Sequence, residues 1–428
     1  MRVFLRKIIQ RLLKVFAILT VKKFKPGVVG VTGSVGKTST KQAIFAVLRR
    51  ERRVRVSKGN LNNEFGIPLT VLGDWRDDDL RLVSKETLPG GNFGRKFMFW
   101  LKVFSWGAAQ LVFFSRRFYP EILILEYGVD HPGDLDYLLK IITPRISVLT
   151  AIGDIPVHVE FFESPRAVAD EKTKLIEILP KTGVAVLNAD DSQVIERRPR
   201  TCAQVVTYGF AQEAAVRISS FEHRRRKNYL AGISFKLEYN QVCASVRIDN
   251  VVGKSQAYAA AAAAAVGVTF GLNLVQIAEA LAYLEVPRQR TRIIAGVKKS
   301  IIIDDAYNAS PASMRVALEA IQDIKAPRKV GILGDMLELG KYTITAHEGI
   351  GRLAGKTFDI LITVGDRAKF IASAAQKAGL LKRNIHSFGT ADEALEAALK
   401  IIHPQDLILI KASRAMRLET ITAALTAK

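Results

Sequence analysis

Gly30-Val31-Thr32-Gly33-Ser34-Val35-Gly36-Lys37-Thr38 follows a short apolar run, Val28 to Val31, and opens a helical pattern from about Lys37 to Arg50. That order is strand, glycine-rich turn, helix, the opening of an α/β domain. Glycines let the backbone wrap closely around phosphates, whose charge is met by successive N–H groups and by the helix N-terminus. Gly33, Ser34, Val35, Gly36, Lys37, Thr38 and Ser39 are therefore the expected nucleotide-binding set. Lys37 should reach the outer phosphates, and the Thr38 hydroxyl should take Mg²⁺. The spacing departs from G-x-x-x-x-G-K-[ST] because position 31 is Val.

Working outward, strand-like runs recur at Ile122–Glu126, Ile146–Thr150 and Val184–Asn188, with helical patterns between them. Residues 203–250 are richer in strand patterns (Val205–Tyr208, Ile233–Glu238, Ala244–Ile248), and an alanine-rich helix runs from about Gln256 to Val268. Past Pro287 a second αβα pattern begins, with strands expected at Ser300–Asp304, Lys329–Gly334, Asp359–Val364 and Asp406–Lys411. The fold expected is α/β: a P-loop NTPase-like central domain over 26–290 and a Rossmann-like C-terminal domain over 291–428. A cleft between them is the natural place for a site.

Before the loop, residues 1–25 read as a basic amphipathic helix. Leu5, Ile8, Ile9, Leu12, Phe16 and Leu19 share one face and Arg2, Arg6, Lys7, Arg11 and Lys14 the other. Residues 92–119 form a second unusual stretch, in which Phe93, Phe97, Phe99, Trp100, Phe104, Trp106, Phe113, Phe114, Phe118 and Tyr119 alternate with Arg95, Lys96, Lys102, Arg116 and Arg117. Aromatics beside cations suit an anionic membrane interface, and equally a helix buried against the domain. The chain carries 63 Lys and Arg against 41 Asp and Glu, a formal +22. Such a balance implies anionic partners or a solvated basic surface. Two cysteines are too few for a disulfide framework or a metal cluster. No apolar run reaches the length needed to span a bilayer. The expected setting is the cytoplasm, at the inner face of the membrane.

Six blocks in order resemble the Mur ligase family. Thr32 to Thr40 is similar to its T-G-[ST]-x-G-K-[ST]-[ST] loop. Gly59-Asn60-Leu61-Asn62-Asn63-Glu64-Phe65-Gly66-Ile67-Pro68-Leu69 resembles the G-N-L-N-N-x-x-G-x-P-L segment of the branch that adds D-alanyl-D-alanine. Leu125-Glu126-Tyr127-Gly128 with Pro132-Gly133-Asp134 looks like its E-M-G…P-G-E element. Asp304 to Pro311, Leu333 to Gly340 and Lys411-Ala412-Ser413-Arg414 complete the set. The resemblance implies an ATP- and Mg²⁺-dependent, ADP-forming ligase. It would activate an acyl acceptor's carboxylate as an acyl phosphate and join it to an amino acid or dipeptide in peptidoglycan precursor synthesis. It implies that Glu126 holds Mg²⁺ with Thr38, and that His158 and a carbamylated Lys172 serve a second Mg²⁺. Arg290 would contact ATP, Asp305 would lie near the ribose, and Asn308 would belong to the same cofactor-binding set. Asn60, Asn62, Asn63, Lys411 and Arg414 would face the substrates. Each also has a structural alternative as a turn, cap or solvated charge.

The resemblance also frays. Ahead of the loop, where the family carries a UDP-sugar-gripping domain, the sequence reads as the basic helix 1–25. The family's T-N-I-G-x-A-H reads Thr150-Ala151-Ile152-Gly153-Asp154-Ile155-Pro156-Val157-His158, and its G-x-H-N-x-x-N reads Gly253-Lys254-Ser255-Gln256-Ala257-Tyr258-Ala259. Three readings compete with the D-alanyl-D-alanine ligase: a ligase for another acyl acceptor, a membrane-associated ATP-binding pseudoenzyme, and a nucleic-acid-binding ATPase. The last rests on charge alone, because no nucleic-acid module is recognisable.

Overall fold

The computed structural model describes residues 2–82, 93–226 and 229–427, and of Arg2, Val3 and Phe93 the backbone alone. Residue 92 of the aromatic stretch and the Arg2 and Phe93 side chains thus lie outside the described residues. In chain order come α1 (Arg2–Phe24), β1 (Gly27–Thr32), α2 (Lys37–Leu48), β2 (Val54–Val56), α3 (Gly66–Leu72), α4 (Asp77–Arg81) and α5 (Phe93–Phe113). Next are β3 (Ile122–Glu126), α6 (Asp134–Leu139), β4 (Ile146–Leu149), α7 (Pro165–Glu177), β5 (Val184–Asn188) and α8 (Ser192–Ile195). The strands β6 (Gln204–Gly209), β7 (Val216–Arg226), β8 (Tyr229–Tyr239) and β9 (Val242–Asp249) precede α9 (Ser255–Thr269) and α10 (Leu274–Leu281). A second run holds β10 (Arg292–Ala295), β11 (Ile301–Asp304), α11 (Pro311–Asp323), β12 (Lys329–Gly334), α12 (Thr343–Thr357) and β13 (Ile360–Val364). It ends with α13 (Ala368–Lys377), β14 (Ile385–Phe388), α14 (Ala391–Ile401), β15 (Leu407–Lys411) and α15 (Glu419–Leu425).

Among the described residues these strands build two sheets, ordered β2-β3-β1-β4-β5-β6-β7-β8-β9 and β10-β11-β15-β12-β13-β14. The first is parallel from β2 to β7 and ends in two antiparallel pairings, β7 with β8 and β8 with β9. Its parallel strands are covered on both faces, which is why β3 and β5 read as unbroken apolar runs, each buried throughout. β9 instead alternates: Ala244, Val246 and Ile248 turn inward while Ser245, Arg247 and Asp249 face out. In the second sheet only β10 runs antiparallel, against β11.

The alanine run now has a reason. Ala259 to Ala265 are all buried, packed with Ala43, Ile44 and Val47 of α2 in one core. A helix that is small and apolar all round can sit between a sheet and a neighbouring helix at close range. That packing fixes α2, and so the turn at its N-terminus.

The N-terminal helix forms as expected, but its apolar residues divide. Leu13, Ala17, Thr20 and Phe24 are buried against the body, and Ile9 and Phe16 turn partly inward with them. Leu5, Ile8, Leu12 and Leu19 remain exposed. The single apolar face expected for α1 is therefore two adjacent strips, because one side of the helix is used for packing. The aromatic stretch splits in the same way: Phe99 and Val103 are buried in the cluster that holds Leu13, while Phe97, Leu101 and Phe113 are exposed.

Candidate active site

The phosphate-loop turn lies where β1 ends between β3 and β4. That is the carboxyl edge of a parallel sheet, where such folds place ligands. Gly33 has φ 145° and Gly36 φ 88°, backbone that side-chain-bearing residues rarely adopt. A Cβ on Gly33 would stand 2.0 Å from Thr150 Oγ1. Ser34 and Val35 donate their N–H groups to Ala151 O at 2.7 and 3.1 Å, which ties the turn to the end of β4. Gly36 occupies the N-cap of α2 without a side-chain cap. The first-turn amides of α2 are thus left for an anion.

Lys37 Nζ folds back on Gly33 O at 2.8 Å, and burial pushes its pKa down. Beside it stands Glu126, registered opposite Val31 at the end of β3. Its Oε2 accepts from Thr38 Oγ1 at 3.1 Å and pairs with Lys41 Nζ at 2.9 Å, while Oε1 accepts from Asn62 Nδ2 at 3.2 Å. Burial alone would raise this carboxyl. Lys41 and Lys37, with hydrogen bonds from Lys41 and Asn62, outweigh it and hold the group at about 2. Glu126 is therefore an anion at any physiological pH, presented with a hydroxyl at the mouth of the turn.

Lys41, fully buried, was not among the residues expected from sequence. The signal was present: it lies four residues after Lys37, on the same face of α2. It also donates to Gly59 O at 2.8 Å, anchoring the start of the Gly59–Leu69 segment. Within that segment the asparagines separate by task. Asn62 reaches Glu126, and the Asn60 side chain bonds to the Tyr307 hydroxyl. Asn63 Oδ1 accepts from the N–H groups of Phe65 and Gly66 and so caps α3.

His158 follows β4 in left-handed backbone, φ 69°. Nε2 lies 3.5 Å from Asp130 Oδ1, and Nδ1 lies 2.7 Å from Glu338 Oε2 without hydrogen-bond alignment. It therefore touches the strand-end loop after β3 and the loop after β12 together. Lys172 of α7 is 1% exposed. Burial, then the charge of Lys37, lowers it to about 7 against the pull of Asp130, Glu171 and Asp134. Lys172 and the loop lysine thus share one electrostatic environment.

The second sheet contributes a compact set. Lys411 Nζ pairs with Asp305 Oδ2 at 2.6 Å and donates to Asn308 O at 2.9 Å. Asp305 Oδ1 accepts from Thr291 N at 3.1 Å. Arg290 and Arg414 lie over the Tyr307 ring at 4.0 and 5.1 Å from its centroid. Arg290 also bears on the ionisation of Lys37, so this cluster faces the loop. Tyr307, Asp130 and Glu338 join the site although sequence reading did not assign them roles.

The donor set fits a nucleotide with Mg²⁺. Ser34 Oγ is buried without a hydrogen-bond partner, and Gln256 donates to Ser39 Oγ at 3.4 Å while its Oε1 has none. Both are orphaned polar atoms beside the turn, which a ligand would satisfy. Among the described residues no group of three or more His, Cys, Asp or Glu side chains could hold a metal alone. Mg²⁺ bound by one carboxylate, a hydroxyl, water and phosphates needs none.

Residues 105–267 match the Mur ligase middle domain and residues 289–414 the Mur ligase glutamate ligase domain. Over 396 residues the chain is 30% identical to a UDP-N-acetylmuramoyl-tripeptide–D-alanyl-D-alanine ligase of Bacillus subtilis, covering 92% of this chain and 74% of that protein. The chain belongs to the Mur ligase family. As a Mur ligase it is an ATP-dependent, ADP-forming ligase. MurF from Acinetobacter baumannii superposes with a TM-score of 0.76 at 25% identity, covering 97% of this Mur ligase and 79% of that chain. MurF from Thermotoga maritima, solved in complex with ADP, gives 0.76 at 24% identity over 97% of this chain and 82% of its own. The α/β fold, a central ATP-binding unit followed by a C-terminal one, is that of these ligases.

Proposed function

We propose that the chain adds D-alanyl-D-alanine to the free carboxylate of UDP-N-acetylmuramoyl-tripeptide, in the cytoplasm, as a step of peptidoglycan precursor synthesis. The observation that carries this reading is the meeting of Thr38, Asn62 and Lys41 on Glu126 beside the phosphate turn. It joins the loop that binds phosphate to the Gly59–Leu69 segment typical of that branch. The similarity to the named ligase over nine-tenths of the chain supports the same substrates. On this reading the working units are 1–25, 26–290 (with the aromatic stretch 92–119) and 291–428.

Joining a carboxylate to an amine at neutral pH requires a better leaving group than oxide. Two anions, the acceptor carboxylate and the γ-phosphate, must first approach. The amides of Gly36 to Ser39 and the Lys37 ammonium, released from Gly33 O, neutralise the outer phosphates. Thr38 and Glu126 would hold Mg²⁺, which when bound would supply further positive charge there. A carboxylate oxygen attacks the γ-phosphorus, the bond to the ADP oxygen breaks, and an acyl phosphate results. The neutral amine of D-alanyl-D-alanine then attacks the acyl carbon. Inorganic phosphate leaves with the bonding electrons, the nitrogen releases one proton to the departing phosphate or to water, and the amide remains.

His158 and carbamylated Lys172 would hold a second Mg²⁺. Arg290, Asp305 and Asn308 would position ATP from the C-terminal unit. Asn60, Asn62, Lys411 and Arg414 would orient acceptor and dipeptide, and Asn63 would shape the segment that carries them. Gln256 stands in for an asparagine of the family at the Ser39 side of the nucleotide. The reading also places the ligase at the inner, anionic face of the membrane.

The test is phosphate release by the full chain with ATP, UDP-N-acetylmuramoyl-tripeptide and D-alanyl-D-alanine. Release should require both acceptor and dipeptide. Turnover without the dipeptide, or turnover only with a different acceptor, contradicts the assignment.

A further inference from the structure

We propose that α1 and α5 together form one ridge that docks on an anionic lipid bilayer. This deepens the membrane placement above by naming the surface. The two helices run parallel and side by side. Phe16 meets Phe104 at 5.7 Å between ring centroids, Lys23 Nζ donates to the carbonyls of Gln110 and Leu111, and Arg116 donates to Lys25 O. At 100° per residue, the exposed strip of α1 and that of α5 lie on the same outward side of this seam. Leu5, Leu12 and Leu19 are 47, 42 and 45% exposed, and Phe97, Leu101 and Val112 are 57, 49 and 69%. The inward sides of both helices are already used, in the cluster of Leu13, Leu69, Leu72, Phe99 and Val103. What remains is a continuous apolar band two helices wide. Bands of that size on a protein surface mark interaction sites.

Charge selects the occupant. Residues 1–50 and 93–120 contain no Asp or Glu, while α1 alone carries Arg2, Arg6, Lys7, Arg11, Lys14, Lys22 and Lys23. Arg11 and Lys22 border the band on the α1 side and Arg95 on the α5 side, by the same helical geometry, while Lys102 at that edge is paired with Asp79 at 3.0 Å. An apolar band with a cationic fringe complements a bilayer bearing anionic headgroups. A second copy would bring two predominantly cationic faces together, which opposes self-association. No helix among the described residues is long and apolar enough to cross a membrane, so the contact is peripheral. The ridge also clasps the acceptor-side segment. Arg6 pairs with Glu64 at 3.1 Å and lies over Phe65, and Phe65 packs on Trp100 of α5.

The experiment is co-sedimentation of the full chain with vesicles of phosphatidylglycerol and phosphatidylcholine, against vesicles of phosphatidylcholine alone. The chain should bind the anionic vesicles. Leu12→Glu with Leu101→Glu should weaken that binding more than about tenfold, and Arg11→Gln about fivefold. Val275→Glu, an exposed apolar position of α10, should bind as the unaltered chain does. Ligation of soluble substrates should be unchanged in the double variant, so a failed ligase assignment and a failed docking surface are distinguishable. No binding to anionic vesicles, or equal binding by the double variant, overturns the proposal. So does a dimer in solution that the double variant splits while neither protein binds vesicles.

Discussion

Glu126 is the residue on which the site turns, and its charge depends on a neighbour that the motif hides. With Lys41 replaced by alanine, a buried carboxylate loses its closest cation. Breaking such a pair typically costs about 3–5 kcal/mol, because one charge stays desolvated. Lys41→Ala should therefore lower the free energy of unfolding, measured by urea denaturation, by that much, and Lys41→Ala with Glu126→Gln by much less. A change within about 0.5 kcal/mol would contradict the pairing. The same pair sets an acid limit. Folding lowers this carboxyl from 4.5 to about 2, so its stabilising contribution is complete above the ordinary value and is lost as pH falls from there toward 2. Lys172 offers a second test at this scale. Only a neutral amine captures carbon dioxide, and this lysine, lowered to about 7, is largely neutral at pH 8 where an exposed one is not. Isotope-labelled bicarbonate should give a carbamate signal by nuclear magnetic resonance that grows as pH rises through 7. A signal that persists in Lys172→Met would assign it elsewhere.

At the scale of elements, the phosphate turn is the least replaceable part. Gly33→Ala would drive a Cβ into Thr150 and force a side-chain-bearing residue to φ 145°. Titration with a fluorescent ATP analogue should show affinity falling by at least about tenfold, while the far-ultraviolet circular dichroism of the folded chain is kept. Unchanged affinity would mean that nucleotide is held elsewhere. This turn was legible because glycine spacing and a preceding apolar run are local signals. β1, β3, β5 and β12 were legible too, since strands covered on both faces are continuous apolar runs. The strands missed from sequence lack that signature. β2 has three residues with Arg55 in the middle, and β7 ends in Glu222-His223-Arg224-Arg225-Arg226 with two register shifts. β10 and β14 are edge strands left half covered. Pairing with neighbours far away in sequence makes them strands, and no local pattern records that.

Over the whole molecule, the two sheets share one buried apolar cluster, in which Val159, Val168, Leu230 and Val252 pack with Ile303, Met314, Ala317 and Leu318, and they meet at the cleft through polar contacts. The Tyr307 hydroxyl reaches Asn60, and His158 lies between Asp130 and Glu338. The residues read from separate motifs thus converge on one cleft. Sequence order indicated which blocks belong together, but not that Tyr307 would carry Arg290 and Arg414 against its ring. On the proposed reading, the C-terminal set faces the phosphate turn across this cleft and would present the dipeptide once the carboxylate is activated. Activation through an acyl phosphate is the central claim, and it leaves a mark on the products. If the tripeptide carboxylate is labelled with a heavy oxygen isotope, one labelled oxygen must pass to inorganic phosphate for each amide formed. Mass spectrometry of the released phosphate should find that transfer in every turnover and none with Glu126→Gln. Amide formed alongside unlabelled phosphate would contradict the account.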